Sequence, residues 1–336
     1  MADIAERVGV SKVTVSAVLS ASAGNRTRVS EMTRRRILDA AAELNYTPNG
    51  IAKMFRSRRT DIIGLYLGDR LLNTHDLFLA EIVSGLQTGC QEHGKDLLIH
   101  STFRGRPMEH IYQELINRKI DGLLMFTQEN DPLAIRLAEA PVPVVAIADA
   151  VSVLPSVVAD DQAGSALIAE YLAAKGHERV LYRRGYSRQT SANRRYEAFL
   201  KAASHWGMTV VEDETRMEQF DFALSSQEKA ILSKIKAHRP TAIVCGNDLL
   251  AYATLDYCRD QRLRVPDDFR VPEDFAVVGF DGIQSQVKPA ARLTTVHAPW
   301  PEVAQAALSL VIQSLAGEPI PAETSLPVEL ILGETA

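Results

Sequence analysis

From Asp61 onward, short and almost wholly apolar segments alternate with amphipathic ones, and this alternation limits the fold more than any other feature. IIGLYL, DLLIHST, GLLMFT and VPVVAIA have strand length. Between them, LFLAEIVSGLQTGCQEHG, EHIYQELINRK and DPLAIRLAEA carry apolar residues at helical spacing. Strands that are apolar on both faces need cover on both faces, which means a parallel sheet flanked by helices. A second series follows: helix GSALIAEYLAAKG, strand RVLYRRG, helix TSANRRYEAFLKAASHWG, strand MTVVED, helix SSQEKAILSKIKAH, strand TAIVCG, helix DLLAYATLDYCRDQ and strand FAVVGF. The tail adds helix PEVAQAALSLVIQSLAG and strand LPVELIL. Two such series predict two doubly wound subdomains with a cleft between them, and ligands of such sheets bind at the carboxyl ends of the strands. The six residues Val265–Arg270 are repeated, with changes, as Val271–Ala276, which reads as a lengthened surface loop.

The first 60 residues have a different texture. Ile4, Ala5 and Val8 lie on one face of a helix that Gly9 stops. Ser11 suits the N-cap of a second helix that buries Val15, Val18 and Leu19. Lys12, Val13, Thr14, Ser16 and Ala17 then face outward near its start. Two short helices joined by a Gly-containing turn, with small and polar side chains opening the second, describe a helix-turn-helix whose second helix meets base edges in a major groove. Ser30 can cap a third helix with Ile37, Leu38, Ala41 and Leu44 as its buried stripe and Arg34, Arg35 and Arg36 in its first turns. Residues 1–60 carry eleven basic and five acidic side chains, a net +6; the whole chain is −5, so the rest sums to −11. A basic head on an acidic body is the pattern expected when only the head meets phosphate. Next comes GIAKMFRSRRT, a short basic segment too brief to hold a helix alone; Ile51, Ala52 and Phe55 share its apolar face. Such a segment wants a partner, and its own copy in a dimer above the DNA minor groove would serve, with Phe55 wedged between base steps.

The remaining composition excludes other classes. No apolar run reaches the length of a membrane span and no signal segment opens the chain, so a cytoplasmic protein is expected. Cys90, Cys245 and Cys258 sit in apolar surroundings and read as reduced core residues. Phosphate-loop, dinucleotide, zincin and nucleophile-elbow motifs are absent from the sequence, and no cofactor or metal is expected. Asp160-Asp161 is the one tempting carboxylate pair; adjacent residues at a strand end point to opposite sides, which suits a cap and a ligand contact better than a catalytic dyad. An enzyme is therefore not expected. A transport module would share the core but would lack the basic head.

DIAERVGVSKVTVSAVLS, LNYTPNGIAKMFRSRRTDIIGL, GLLMFT, VVADDQAGSALIAEYLAAKGHERVLY, PTAIVCGNDLLAYATLDYC, VPEDFAVVGFDGI and LTTVHAP, in this order and spacing, resemble the LacI/GalR family of bacterial transcriptional regulators over essentially the whole chain. The resemblance implies a small all-α helix-turn-helix headpiece at 1–48, a hinge helix and linker at 49–60, and an α/β core at 61–336. That core would be two doubly wound parallel-sheet subdomains of type I periplasmic-binding-protein architecture, a first lobe at about 61–159 and 290–320 and a second at about 160–289 and 321–332. It implies a sequence-specific regulator, a repressor, that binds a near-palindromic double-stranded DNA operator as a homodimer under control of a sugar-like effector. It places base contacts on Lys12, Val13 and Ser16, with Ala17 where a longer polar residue is common. Ser11, Thr14, Ser30, Thr33, Arg34, Tyr46 and Asn49 match phosphate-contacting positions, and Phe55 matches a hinge wedge that is usually leucine. In the core it implies effector contacts at Asp76, Phe78, Arg195, Phe222, Asn247 and Asp281, with Asp248 completing an Asn-Asp pair. Such a set suits a polyhydroxylated ligand: carboxylates and Asn take hydroxyl pairs, Arg donates a fork, and an aromatic face covers a ring.

Overall fold

The computed structural model describes residues 1–19, 29–46, 59–68, 76–100, 105–184, 189–212, 224–232, 239–264, 271, 275–283 and 292–336. The chain separates into two units, Met1–Thr60 and Asp61–Ala336.

The first unit holds α1 (Ala2–Val8), α2 (Lys12–Leu19) and α3 (Glu31–Glu43). Gly9, at φ 73, ends α1 in the left-handed conformation that costs glycine least. The Ser11 hydroxyl accepts from the Thr14 amide (3.1 Å) and the Ser30 hydroxyl from the Thr33 amide (3.2 Å), capping α2 and α3. Ile4, Ala5, Val8, Val15, Val18, Ile37, Ala40 and Ala41 make the small core. The stripe on α3 is therefore Ile37, Ala40 and Ala41, and the expected Leu38 and Leu44 are 47% and 39% exposed. Small alanines let α3 approach its neighbours closely; Leu38 lies about 100° around the helix from Ile37. The hinge segment and the 265–276 duplication lie outside the described residues, apart from short stretches.

The second unit contains β1 (Ile62–Tyr66), α4 (Leu77–Glu92), β2 (Asp96–His100), α5 (Met108–Ile116), β3 (Gly122–Met125), α6 (Pro132–Leu137), β4 (Val144–Ile147) and β5 (Ser156–Ala159). It continues with α7 (Asp161–Ala174), β6 (Arg179–Arg183), α8 (Thr190–His205), β7 (Thr209–Glu212), α9 (Ser226–Leu232), β8 (Ala242–Cys245), α10 (Asp248–Arg264) and β9 (Ala276–Asp281). Last come β10 (Thr294–His297), α11 (Trp300–Leu315), β11 (Glu323–Leu326) and β12 (Glu329–Ile331). The strands form two six-stranded sheets, in the orders β11-β5-β4-β3-β1-β2 and β12-β10-β9-β8-β6-β7. The first is wholly parallel; in the second only β12 runs antiparallel, beside β10. Each sheet is covered on both faces, as apolar strands require: Leu79, Ile82, Leu86, Trp300 and Val311 pack on one side of the first, and Leu115, Leu133 and Leu137 on the other.

Three elements differ from expectation. Ser156–Ala159, not named among the expected strands, is the strand that ends just before Asp160. The expected strand LPVELIL is a strand only at Glu329–Ile331, and Glu323–Leu326 just before it is an unexpected strand of the other sheet. Pro327 falls between them and donates no ladder bond. The lobe boundaries shift accordingly: β10, expected with the first lobe, belongs to the second sheet, and β11, expected with the second lobe, belongs to the first. The chain thus passes between lobes after β5, between β10 and α11, and between β11 and β12. Gly85 of α4 packs so closely on α11 that a Cβ there would lie 2.3 Å from the Pro301 carbonyl oxygen.

Candidate functional site

The carboxyl ends of β8 and β9 and the start of α7 converge on one side chain, Arg195 of α8. It is 6% exposed. Its Nε donates to Asp161 Oδ1 at 2.7 Å, and its Nη1 donates to the Gly246 carbonyl at 2.8 Å and to Asp281 Oδ1 at 3.1 Å. The guanidinium carbon lies 3.8 Å from the centroid of the Phe280 ring. Among the described residues no acceptor is recorded for Nη2, so two donors remain for a further group. Burial works against the Arg195 charge, but Asp161 and Asp281 more than restore it, raising its pKa. Burial pushes Asp161 up, and Arg195 pulls it back; at 2.7 Å the pair is best described as ionised.

Asp281 ends β9 with φ 127, a backbone conformation few side chains adopt. Its main-chain carbonyl accepts from the indole nitrogen of Trp300 at 3.1 Å. Trp300 opens α11 in the first lobe, and its ring meets Phe78 edge-on at 4.8 Å. Phe78 in turn meets Phe126 at 6.0 Å. An aromatic group of the first lobe therefore stands next to the Arg195–Asp281 pair of the second. Glu81, one turn along α4 from Phe78, has its Oε2 buried without a hydrogen-bond partner among the described residues. Burial, with Asp281 and Glu302 nearby, raises its carboxyl pKa.

Asp248 is 1% exposed and turned inward. Its Oδ1 accepts from the Thr295 hydroxyl at 2.6 Å and its Oδ2 from the Ile283 amide at 2.7 Å. Burial, then the charge of Asp281, pushes its carboxyl above the usual range. Gly279 gives it room, since a Cβ there would sit 2.1 Å from Oδ1. Asp248 thus ties α10 to β10 and to the exit of β9. Asn247 caps α10, its Oδ1 accepting from the Leu250 amide at 2.9 Å, next to the Gly246 carbonyl that Arg195 uses.

Two further carboxylates, both from the first lobe, bind α8. Asp149 accepts from the Ser191 amide at 2.7 Å and the Thr190 amide at 3.1 Å. The preceding Ala148 is held at φ 67. Burial raises the Asp149 carboxyl to about 7, against the opposing pull of these amides. Glu323 of β11 takes both Nη groups of Arg194, at 2.7 and 2.8 Å. Its carboxyl is held down by that contact.

Of the expected effector residues, Arg195 and Asp281 touch, and Phe78 is joined to them through Trp300. Asn247 borders them. Asp76 caps α4, its Oδ1 accepting from the Leu79 amide at 3.0 Å, and Phe222 lies outside the described residues. In the Asp160-Asp161 pair, Asp160 is the cap, accepting from the Ala163 amide at 2.9 Å. Asp161, the other member, accepts from Arg195. Asp149, Glu81 and Glu323 were not singled out by sequence. The only local sign of Asp149 is an acidic residue just past an apolar strand.

In the first unit Lys12 and Val13 are exposed, Val13 at 72%, while Ser16 and Ala17 are half-buried. Ser11 and Thr14 share a hydroxyl contact at 2.9 Å, and Ser30 and Thr33 one at 2.8 Å. Arg34 is exposed, with Glu31 at 3.9 Å, and Tyr46 is half-buried against the core. Arg36 instead donates to the Val8 carbonyl at the end of α1, at 3.2 Å. Asn49 and Phe55 lie outside the described residues. Among the described residues no helix is long and apolar enough to cross a membrane.

Two family models match the chain. The model for bacterial regulatory proteins of the lacI family covers residues 1–49, and that for the periplasmic binding protein-like domain covers residues 169–336. The HTH-type transcriptional repressor PurR of Vibrio cholerae serotype O1 (strain M66-2) is 27% identical over 321 residues, 93% of this chain and 90% of that protein. PurR of Proteus mirabilis (strain HI4320) is 29% identical over 330 residues, 96% and 92% of the two chains. Among solved structures, the lac repressor dimer bound to operator and the anti-inducer ONPF has a TM-score of 0.79 at 24% identity, covering 99% of this chain and 97% of that one. The complex of the transcriptional regulator CelR with cellobiose has a TM-score of 0.63 at 25% identity, covering 99% and 98%. A matched DNA-binding segment, a matched core segment and repressor relatives that span nine-tenths of both chains lead to one conclusion: the chain belongs to the lacI family of bacterial regulatory proteins.

Proposed function

We propose that this DNA-binding repressor grips its operator with an affinity set by a small polyhydroxylated ligand, a sugar or sugar derivative, taken between the two core lobes. The observation that carries the reading is Arg195. Its Nε and Nη1 are fixed by Asp161, Gly246 and Asp281 while Nη2 keeps two donors, so a hydroxyl pair meets a preset fork beside the Asp281 carboxylate. Phe78 supplies an aromatic face for the apolar side of a ring, and Asn247 an amide at the strand ends. Asp76 and Phe222 complete the proposed contacts. The likeness to the CelR complex with cellobiose supports a sugar as the ligand class.

In this reading Lys12, Val13, Ser16 and Ala17 face base edges. Ser11, Thr14, Ser30, Thr33, Arg34, Tyr46 and Asn49 hold phosphates, and Phe55 enters the minor groove. Two copies act as a homodimer on a near-palindromic operator. The ligand acts by binding one arrangement of the lobes better than another. A coupling of about 1–3 kcal/mol changes operator affinity roughly 5- to 150-fold.

The test is a thermal-shift screen of the full chain against neutral mono- and disaccharides, followed by operator titration with each stabilising compound. At least one sugar is expected to raise the melting temperature and to change operator affinity fivefold or more. A screen in which nucleosides stabilise and no sugar does would remove the sugar assignment.

A further inference from the structure

Helix α8 belongs to the second lobe by its packing. Tyr196, Phe199 and Ala203 sit in the core beneath the second sheet. Its N-terminal turn nevertheless takes its partners from the first lobe. Gln189, the residue at its N-cap, makes no side-chain cap bond. The caps come from Asp149, which follows β4 of the first sheet. One turn on, Arg194 forms its two-pronged bridge to Glu323. Glu323 lies on the edge strand β11, in register with Ser156 of β5.

Arg194 and Arg195 are adjacent and point to different lobes. Arg194 reaches the first, and Arg195 the strand ends of the second. A rotation that parts the lobes must therefore break the bridge or drag α8, and with it the Arg195 guanidinium, away from Asp281.

We infer that the Arg194–Glu323 bridge is an interlobe latch that sets the balance between this arrangement of the core lobes and a more open one. The two residues are positioning residues that act through α8 on Arg195. The inference rests on the reading that lobe arrangement controls the operator, and its test separates the two. Side-chain exposures of 33% and 39% leave the bridge screened by water, so its weight is modest, about two- to fivefold in the ratio of arrangements.

The experiment uses the full chain labelled on each lobe through Glu139→Cys and Lys201→Cys, both exposed positions; the three native cysteines are buried. The interlobe distance distribution is read by energy transfer for the parent, Arg194→Ala, Glu323→Ala, and the exchange pair Arg194→Glu with Glu323→Arg. Each single variant is expected to raise the open fraction about two- to fivefold, and the exchange to bring it back toward the parent. Single variants that leave the distribution unchanged, or an exchange that fails to restore it, overturn the latch. Operator affinity on the same samples reports on the underlying reading: a shifted distribution with unchanged affinity keeps the latch and removes its link to DNA.

Discussion

The indole nitrogen of Trp300 donates to the main-chain carbonyl of Asp281 at 3.1 Å, joining the first turn of a first-lobe helix to the last residue of a second-lobe strand. Asp281 holds an uncommon φ of 127 at that point. The same residue offers its carboxylate to Arg195. The bond therefore fixes a strained residue at the place where both lobes and the proposed ligand meet.

Trp300→Phe keeps an aromatic ring against Phe78 and removes the donor. The Asp281 carbonyl then keeps only the Ala298 amide at 3.3 Å, and a destabilisation of about 0.5–1.5 kcal/mol is expected, measured by urea unfolding of the full chain. An unchanged midpoint would mean that water replaces the indole.

Arg195→Ala leaves Asp161, 4% exposed, as an uncompensated buried charge. Loss of one partner of such a pair costs about 3–5 kcal/mol. Arg195→Met combined with Asp161→Leu is expected to recover most of that stability without recovering the response to ligand, because packing replaces the pair but no donor faces the cleft. Unfolding midpoints and operator titrations with and without a stabilising sugar distinguish the two effects.

Asp149 sets a pH dependence. Its carboxyl is raised in the folded chain to about 7 from an ordinary value of 3.8. The folded state thus holds a proton that the unfolded state has released. Its contribution is complete below about pH 4 and is lost as pH rises through 7. Three units correspond to roughly 4 kcal/mol at most. Asp149→Asn keeps an acceptor for one of the two α8 amides and does not titrate. Relative to this variant, the parent is expected to lose stability between pH 4 and 7 and to level off above; equal slopes for the two proteins would contradict the assignment.

Val13 is 72% exposed, so Val13→Ala should change stability by less than about 0.5 kcal/mol. With its side chain facing a base edge, as proposed, the same change should alter preference at one operator position by about 1–3 kcal/mol. Lys12→Ala should weaken operator binding and lower its salt dependence by about one charge if it meets phosphate, or relax one base preference if it meets a base. Binding to a set of single-base operator variants at several salt concentrations reads the base preferences and the salt dependence, and urea unfolding reads the stability.

Local periodicity made the helices and most strands legible. Apolar runs such as IIGLY and AVVGF could only be buried strands, and Gly9, Ser11 and Ser30 marked helix ends by backbone chemistry alone. Leu38 and Leu44 were misread because hydrophobicity favours leucine over alanine as a core residue, whereas close helix packing favoured Ala40 and Ala41. The strand Glu323–Leu326 was not legible because its residues form no apolar run, and only Leu326 falls within LPVELIL. The site was legible where a single residue carries the chemistry, as at Arg195 and Asp281. Asp149 and Glu323 were not, because their partners lie 41 to 129 positions away and a carboxylate gives no local sign of the amide or guanidinium it will meet.

The three crossings between lobes set an order on synthesis. The first lobe begins at Ile62, yet the helix that fills its core, Trp300–Leu315, and the strand that closes its sheet edge, Glu323–Leu326, are translated only after nearly all of the second lobe. The strands β1 to β5 therefore emerge from the ribosome with the Trp300 face of their sheet covered by α4 alone. A nascent chain of this protein has to keep that apolar surface from other chains until its last few dozen residues arrive, which makes the amino-terminal half the part most dependent on chaperones.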